Sequence, residues 1–352
     1  MKIFVKRLCI VTVALIVLCS AVGCKNTGSD DLLLYSAVEG GYEVSLNPAR
    51  AEDAVNVEIP ATYNGAPVIR VADYGFANSN NLKSVTMPEG LLEIGVAAFS
   101  NCTSLGGVNV PETVKKIDQY AFSNCTALEI ALIGDGVETI GKYAFAFCTA
   151  LKNIKLSESL RMIDTYTFYD CGALLEISLP DTVETVEVGA FYNCASLASV
   201  SIGKGLSMLN IRAFDACDSV TTVTVNAENA SYLAQNNILY TKVSLDIVYV
   251  PAKLQGDIVI VDGTKMLAAN LFAYNKGITS LTIPASVEKV GACLVLDCDA
   301  LETVTFVDAT ATWINANDDH VSFSDPTRTA INMRGADENT NWAMASWKKK
   351  TA

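Results

Sequence analysis

Histidine is almost absent from this chain, which has one, His320, among 352 residues. No nucleophile motif adjoins it, and the sequence contains no G-x-S-x-G, no glycine-rich phosphate loop and no H-E-x-x-H. General acid–base and nucleophilic catalysis usually need such groups. Acidic pairs such as Asp318 and Asp319 occur in any acidic protein and point to no particular chemistry. The sequence therefore argues against an enzyme, and no cofactor is expected.

Positive charge is also scarce, with 25 Lys and Arg against 38 Asp and Glu, a net charge of −13. Such a surface repels nucleic acid and anionic membranes, so neither is expected as a general partner. The acidic residues are spread along the chain, which is more typical of solubility than of a cation-binding tail. With 51% hydrophobic residues, the chain is expected to bury a substantial core.

The first apolar run, LCIVTVALIVLCSAVG, is shorter than the roughly 20 residues that a spanning helix needs. Three basic residues precede it, which is typical of a secretory signal. AVGC at its end resembles a bacterial lipobox, although Ala21 stands where Leu is commoner. The resemblance implies a signal peptide over 1–23, a lipid on Cys24, a tether over 24–31, and a lipid-anchored, surface-exposed protein of the cell envelope. An ordinary cleaved signal or an uncleaved anchor remains the alternative.

The chain repeats itself every 23 residues. The same step separates Phe76, Phe99, Phe122, Phe145, Phe168, Phe191 and Phe214, and the phase resumes at Phe272. A second series of the same period is Cys102, Cys125, Cys148, Cys171, Cys194 and Cys217. A fixed period in this range indicates a solenoid, whose units must stack because none can bury its apolar side alone.

The two halves of one unit have different periodicities. Val108 and Val110 alternate as in a strand, which Pro111 then ends. The second half has apolar residues at steps of three and four, which predicts about one and a half turns of helix. These residues are Ile117, Ala121, Phe122, Cys125 and Leu128.

The unit resembles the BspA-type leucine-rich repeats of bacterial surface proteins, as in LKSVTMPEGLLEIGVAAFSNCTS. The resemblance implies an α/β solenoid, a right-handed coil of short parallel strands and short helical returns with a 23-residue period. Repeats are assigned to 59–306, a β-hairpin cap to 32–58 and an irregular C-terminal cap to 307–352. A hairpin inserted at about 225–254 is expected to contain strands at 238–241 and 246–250. In the C-terminal cap, a helix is expected to start at Asp325-Pro326, and Trp313, Trp342 and Trp347 to cover the last coil.

The recurring cysteines could serve as a metal site, as disulfides or as packing residues. Zinc needs ligands that converge, whereas thiols 23 residues apart form a row. Disulfides need Cα atoms nearer than about 7 Å and converging Cβ vectors, whereas stacked side chains run parallel on a helical side expected to be splayed. Packing is therefore favoured, with a local Cys293–Cys298 bridge left open.

A binding surface is expected on the outward positions of the strands, since the inward ones form the core. Most of these positions carry small hydroxyl or amide groups, but Ile130 and Leu132 are apolar and lie beside Asn153, Lys155 and Glu176. An apolar centre with a polar rim is typical of an interaction hot spot, although β-branched residues also simply suit strands.

A row of tyrosines shares the repeat phase on the return side, namely Tyr74, Tyr120, Tyr143 and Tyr166. Such a stripe is more often structural than functional. The sequence thus predicts a non-enzymatic surface lipoprotein that binds proteins, and the family resemblance suggests adhesion to host matrix proteins or to other bacteria. A carbohydrate-binding or envelope-organising module is the alternative.

Overall fold

The computed structural model describes residues 32–210, 212–308, 310–316, 322–323 and 346–350. The signal peptide, Cys24 and the tether lie outside these residues. So do His320, Trp342 and the helix expected at Asp325-Pro326.

The described chain forms a solenoid of about 11 stacked turns with parallel strands. Apolar residues alternate in each first strand, so that Val108 and Val110 point into the core and Asn109 points out. These strands make up the first strand row: Asn56–Glu58, Ser84–Thr86, Gly107–Val110, Ile130–Ile133, Asn153–Lys155, Glu176–Ser178, Ser199–Ile202, Thr222–Val225, Gln255–Val259, Gly277–Ile283 and Thr303–Phe306.

A second strand, of two residues except in Ala66–Val71, follows after a turn in most coils and was not expected from the sequence. These strands make up the second strand row: Ala66–Val71, Glu93–Ile94, Lys116–Ile117, Thr139–Ile140, Met162–Ile163, Thr185–Val186, Met208–Leu209, Met266–Leu267 and Lys289–Val290. Pairing within each row is parallel, and Ile130, for example, lies opposite Gly107 on one side and Asn153 on the other. This 23-residue register places equivalent side chains directly above one another.

The prediction that the returns are helical is wrong, because the described residues contain no α-helix. Alternate amides of each return bond in different directions. Ser123 and Cys125 donate to carbonyls three residues back, whereas Phe122 donates to Ala144 of the next coil at 2.7 Å. Half of the return's amides thus hold the coils together, which a helix would not allow, since its amides bond within the helix.

Two residues of most returns adopt a left-handed backbone, which an α-helix does not contain. One position carries Tyr120 (φ 59°) and the other Asn124 (φ 60°), with equivalents in the neighbouring coils. Asparagine tolerates this conformation better than most residues. Its side chains also form a ladder, in which the Asn124 amide donates to Asn101 at 2.6 Å and that of Asn101 to Asn78 at 3.0 Å.

The inside of the return is a ladder of stacked rings and thiols. Neighbouring phenylalanines from Phe76 to Phe214 stack with centroids 5.1 to 5.6 Å apart. The six cysteines are buried, as the packing interpretation predicts, and each thiol donates to a phenylalanine carbonyl 26 residues earlier at 3.0 to 3.3 Å. The return side is therefore not splayed, and that part of the argument against disulfides was wrong. The six cysteines of the ladder and Cys298 are free thiols, so no Cys293–Cys298 bridge forms.

The first coil is preceded by an antiparallel hairpin of strands Leu33–Val38 and Gly41–Leu46. Its second strand pairs in parallel with Ala66–Val71, so the hairpin lies on the end of the second strand row. A 3₁₀ helix, Pro48–Asp53, follows, with the Asn47 side chain accepting from the Ala49 amide. Thr62–Tyr63 then pairs with Ala66–Val71 around a tight Asn64-Gly65 turn.

The insertion contains three antiparallel strands rather than the two expected: Tyr232–Gln235, Ile238–Thr241 and Ile247–Tyr249. Asn229, which is fully buried, anchors its start by donating to two carbonyls of the preceding coil and accepting from the Ser231 and Tyr232 amides.

At the C-terminal end the described strands are Trp313–Asn315, Ser322–Phe323 and Trp347–Lys349. The last of these pairs antiparallel with Lys289–Val290 and so covers the edge of the second strand row. Trp313 and Trp347 are both buried in the core of the final coils, as the sequence predicts.

Candidate functional site

The apolar centre of the predicted patch, Ile130 and Leu132, lies in one three-stranded sheet of the first strand row. Leu132 lies between Asn109 and Lys155 and is 42% exposed. Ile130 is half-buried, because its Cγ2 lies only 3.2 Å from where a Cβ on Gly107 would stand. Glycine at 107 therefore lets Ile130 pack over the neighbouring strand, and Leu132 is the more available of the two apolar side chains.

The polar neighbours of the patch are only partly brought together. Asn153 and Lys155 are exposed and pair directly with the strand of Ile130 and Leu132. The Lys155 ammonium lies 2.9 Å from Asp135, and this contact lowers the pKa of the Asp135 carboxyl. Glu176 belongs to a separate sheet that begins with its own strand, so it adjoins the patch without being hydrogen-bonded to it.

The sheet that contains Glu176 borders a polar groove of about 420 Å³. Ser178, Ser201 and Thr224 lie in register along it. Asp181 at its rim accepts from the Asn226 amide at 3.2 Å and from the Lys204 backbone at 2.8 Å. The groove thus offers hydroxyl, amide and carboxylate groups, the mixture with which proteins hydrogen-bond small polar ligands.

The return side carries a larger aromatic surface than the tyrosine row predicted from the sequence. We define the tyrosine ridge as Tyr120, Tyr143, Tyr166, Tyr169, Tyr192 and Phe147, all exposed or half-buried. Tyr120 and Tyr143 stack at 5.1 Å and Tyr143 and Tyr166 at 5.2 Å. Phe147, Tyr169 and Tyr192 were missed, although the 23-residue spacing of the two tyrosines was a usable signal.

Local structure decides where the ridge ends. Tyr166 turns onto Gly189, since a Cβ there would lie 2.1 Å from its ring. This position lets Tyr166 contact Tyr169 edge-on at 5.5 Å, and Tyr169 then stacks on Tyr192 at 5.4 Å. At the other end Ala97 separates the ridge from Tyr74, which has a 66% exposed side chain.

Within the described ranges, no group of three or more His, Cys, Asp or Glu side chains is arranged to hold a metal ion. The same residues include no helix with the length and apolarity needed to cross a membrane.

The sequence profile described as the BspA type leucine rich repeat region matches in six copies over residues 69–176, 161–256 and 264–317. The chain belongs to this family. A search of curated protein sequences found no relative.

Solved structures of similar proteins include a leucine-rich cell surface protein from Faecalibacterium prausnitzii, with 22% identity and a TM-score of 0.52 over 80% of this chain and 76% of that one. The pneumococcal vaccine antigen PcpA has 20% identity and a TM-score of 0.49 over 78% and 68%. A leucine-rich repeat protein from Eubacterium ventriosum has 20% and 0.44 over 77% and 68%. The first likeness shows the fold alone.

Proposed function

We propose that the protein is a lipid-anchored, non-enzymatic binding protein of the cell surface, whose first strand row docks a protein partner around Leu132. The observation that carries the proposal is an exposed leucine on a rigid parallel sheet, flanked by polar side chains that the core does not use. Rigid apolar anchors with a polar rim give most of the binding energy in protein interfaces. Membership of a repeat family found in surface proteins supports both binding and a surface location.

Adhesion is the biological setting that we propose for this docking, with a host matrix protein or another bacterial surface as the partner. The full chain displayed on cells should bind one member of a panel of purified matrix proteins or whole bacteria. Leu132→Asp with Ile130→Asp should abolish that binding, because a charge in the centre of the interface would be buried unpaired.

Met208→Asp is the matched control, since Met208 is an outward, 55% exposed apolar residue of the second strand row. Equal loss in both variants, or unchanged binding after the double substitution, would remove the patch from the proposal. The anchor is tested separately: Cys24→Ala should prevent incorporation of a labelled fatty acid and release the chain from the membrane fraction.

The polar groove favours carbohydrate binding or envelope organisation as the second candidate. Its aligned hydroxyls of Ser178, Ser201 and Thr224 could hydrogen-bond sugar hydroxyls. A glycan array probed with the full chain decides between the two functions, because a glycan signal lost on Ser201→Ala would support the second, whereas an array that Ser201→Ala leaves unchanged would support the first.

A further inference from the structure

The tyrosine ridge is not required by the fold. We call the equivalent positions of successive coils, 23 residues apart, a column. The column of Tyr120, Tyr143 and Tyr166 carries Ala97 and Gly189 in other coils, and the column of Tyr169 carries Ala77, Ser100 and Ser123. Those coils close with the same turns and the same bonds between coils. Since much smaller side chains suffice there, the concentration of six aromatic side chains on neighbouring coils points to a use outside the core.

The ridge keeps its polar atoms available. In the described part of the chain, the hydroxyls of its five tyrosines form no hydrogen bond with protein groups, and that of Tyr143 lies at the surface. Partial burial, and after it the neighbouring tyrosines, raise the pKa of Tyr143. The hydroxyl therefore stays protonated at neutral pH and can both donate and accept.

The charged groups at the edge of the ridge are of both signs. Arg212 lies beside Tyr166 and Tyr192 but is bound to Asp215 at 2.9 Å. Asp170 accepts from the Asn193 side chain at 2.5 Å, and Lys142 is exposed next to Tyr143. A surface of aromatic edges and hydroxyls with little net charge suits a neutral ligand that carries both C–H and hydroxyl groups.

The spacing of the rings indicates the form of that ligand. Tyr120, Tyr143 and Tyr166 follow the solenoid axis at 5.1 and 5.2 Å per step. This is close to the rise per sugar of an extended β-1,4-linked glycan, whereas an extended peptide advances by about 3.3 Å per residue. We propose that the tyrosine ridge binds an extended, uncharged β-1,4-linked glycan, with successive sugars lying over successive coils.

This site is separate from the docking surface around Leu132, and its test does not depend on that function. The full chain, solubilised in detergent, is titrated with cellohexaose and chitohexaose, with maltohexaose as the α-linked control. Binding of at least one β-1,4-linked hexamer, and weaker binding of maltohexaose, is expected. Tyr143→Ala should weaken binding by roughly tenfold, because the central ring and its hydroxyl are lost.

Tyr74→Ala is the matched control. Tyr74 occupies the same column with the same φ of 56° as Tyr143, but it makes no ring contact within the described residues. The two substitutions should have similar effects on the backbone. Because only Tyr143 belongs to the ridge, only Tyr143→Ala should change the affinity for the glycan. Ala97→Tyr should join Tyr74 to the ridge and increase affinity for longer oligomers.

The proposal is overturned if neither β-1,4-linked hexamer binds at millimolar concentration, or if Tyr143→Ala and Tyr74→Ala behave alike. It is also overturned if Ser201→Ala, in the polar groove, removes glycan binding while Tyr143→Ala does not. Loss of a protein partner on Tyr143→Ala, with no glycan bound by the unsubstituted chain, would assign the ridge to protein recognition instead.

Discussion

The coils before the inserted hairpin and the coils after it share one repeat but form two cores. The first core extends from Leu33 to Leu239, and the second from Ile238 to Trp347. They meet at the inserted strands, and in Ile238–Thr241 the side chain of Leu239 packs with the first core while Ile238 and Tyr240 pack with the second. The strand alternates as any strand does, and here both of its faces are buried.

The phenylalanine ladder shows what the hairpin does at this boundary. Phe214 is followed not by another phenylalanine but by Tyr249 of the hairpin, at 5.5 Å and a tilt of 48°. The ladder restarts at Phe272, and Val295 then takes the next position. An insertion into a solenoid can thus close one stack and open another, provided that it supplies apolar side chains to both.

The largest expected difference between the two cores is their response to alkaline pH. Burial raises the pKa of Cys102 and Cys148 to about 12, raises those of Cys125 and Cys171 well above the usual value, and raises that of Cys298, in the second core, to about 11. The folded state therefore holds these protons while the unfolded chain loses them above about pH 8.5. Each thiol should cost about 1.4 kcal/mol of stability per pH unit from there up to its folded pKa.

Hydrogen exchange measured from pH 7 to pH 10 should show the first core opening before the second. Cys148→Ala should reduce the pH slope of the first core by one proton. This difference between the cores is refuted if both lose hydrogen-exchange protection at the same pH, or if Cys148→Ala leaves the pH dependence of the first core's stability unchanged.

The next largest difference between the two cores is expected when one buried phenylalanine of each core is truncated. Phe145 is fully buried between two stacked rings, so Phe145→Ala should cost about 3–5 kcal/mol by leaving a cavity. Phe272→Ala is its counterpart in the second core. Each change should lower hydrogen-exchange protection mainly in its own core, and equal losses in both would show that the hairpin does not separate them.

A change within the hairpin should behave differently. Leu239→Ala should cost about 2–5 kcal/mol in the first core and also loosen the second, because Ile238 and Tyr240 share its strand. Urea unfolding followed by the fluorescence of tryptophan, with Trp313 and Trp347 buried in the second core, reports that loosening. An unchanged tryptophan transition would contradict the shared strand as the coupling element.

The smallest effect is expected to be stabilising. Phe147 has a φ of 62° where neighbouring coils carry Asn124 and Asp170, and it interrupts their side-chain ladder. Phe147→Asn should therefore add about 0.5–1.5 kcal/mol to the unfolding free energy through a better backbone preference and restored hydrogen bonds. Thermal unfolding compared with Phe147→Ala, which lacks the amide, tests this; equal midpoints would refute the ladder's contribution.

The fold could be predicted from the repeat because stacking identical units leaves little choice. The positions of Phe122, Cys125 and Leu128 in the core follow from the 23-residue step, and all three are fully buried. The candidate patch was harder, since sequence spacing placed Asn153 and Lys155 beside Ile130 and Leu132 but could not reveal that Ile130 packs over Gly107 or that Glu176 starts another sheet.

The sequence by itself determined the period, the register and which side chains are inside, because each follows from matching equivalent positions. Only the tertiary structure decided that the returns are not helices. Steps of three and four suit tight turns as well as helices, and the choice depends on amides that bond to the next coil, such as that of Phe122 to Ala144. The tyrosine ridge depends on the same stacking, since Tyr169 contacts both Tyr166 and Tyr192 when the coils lie about 5 Å apart.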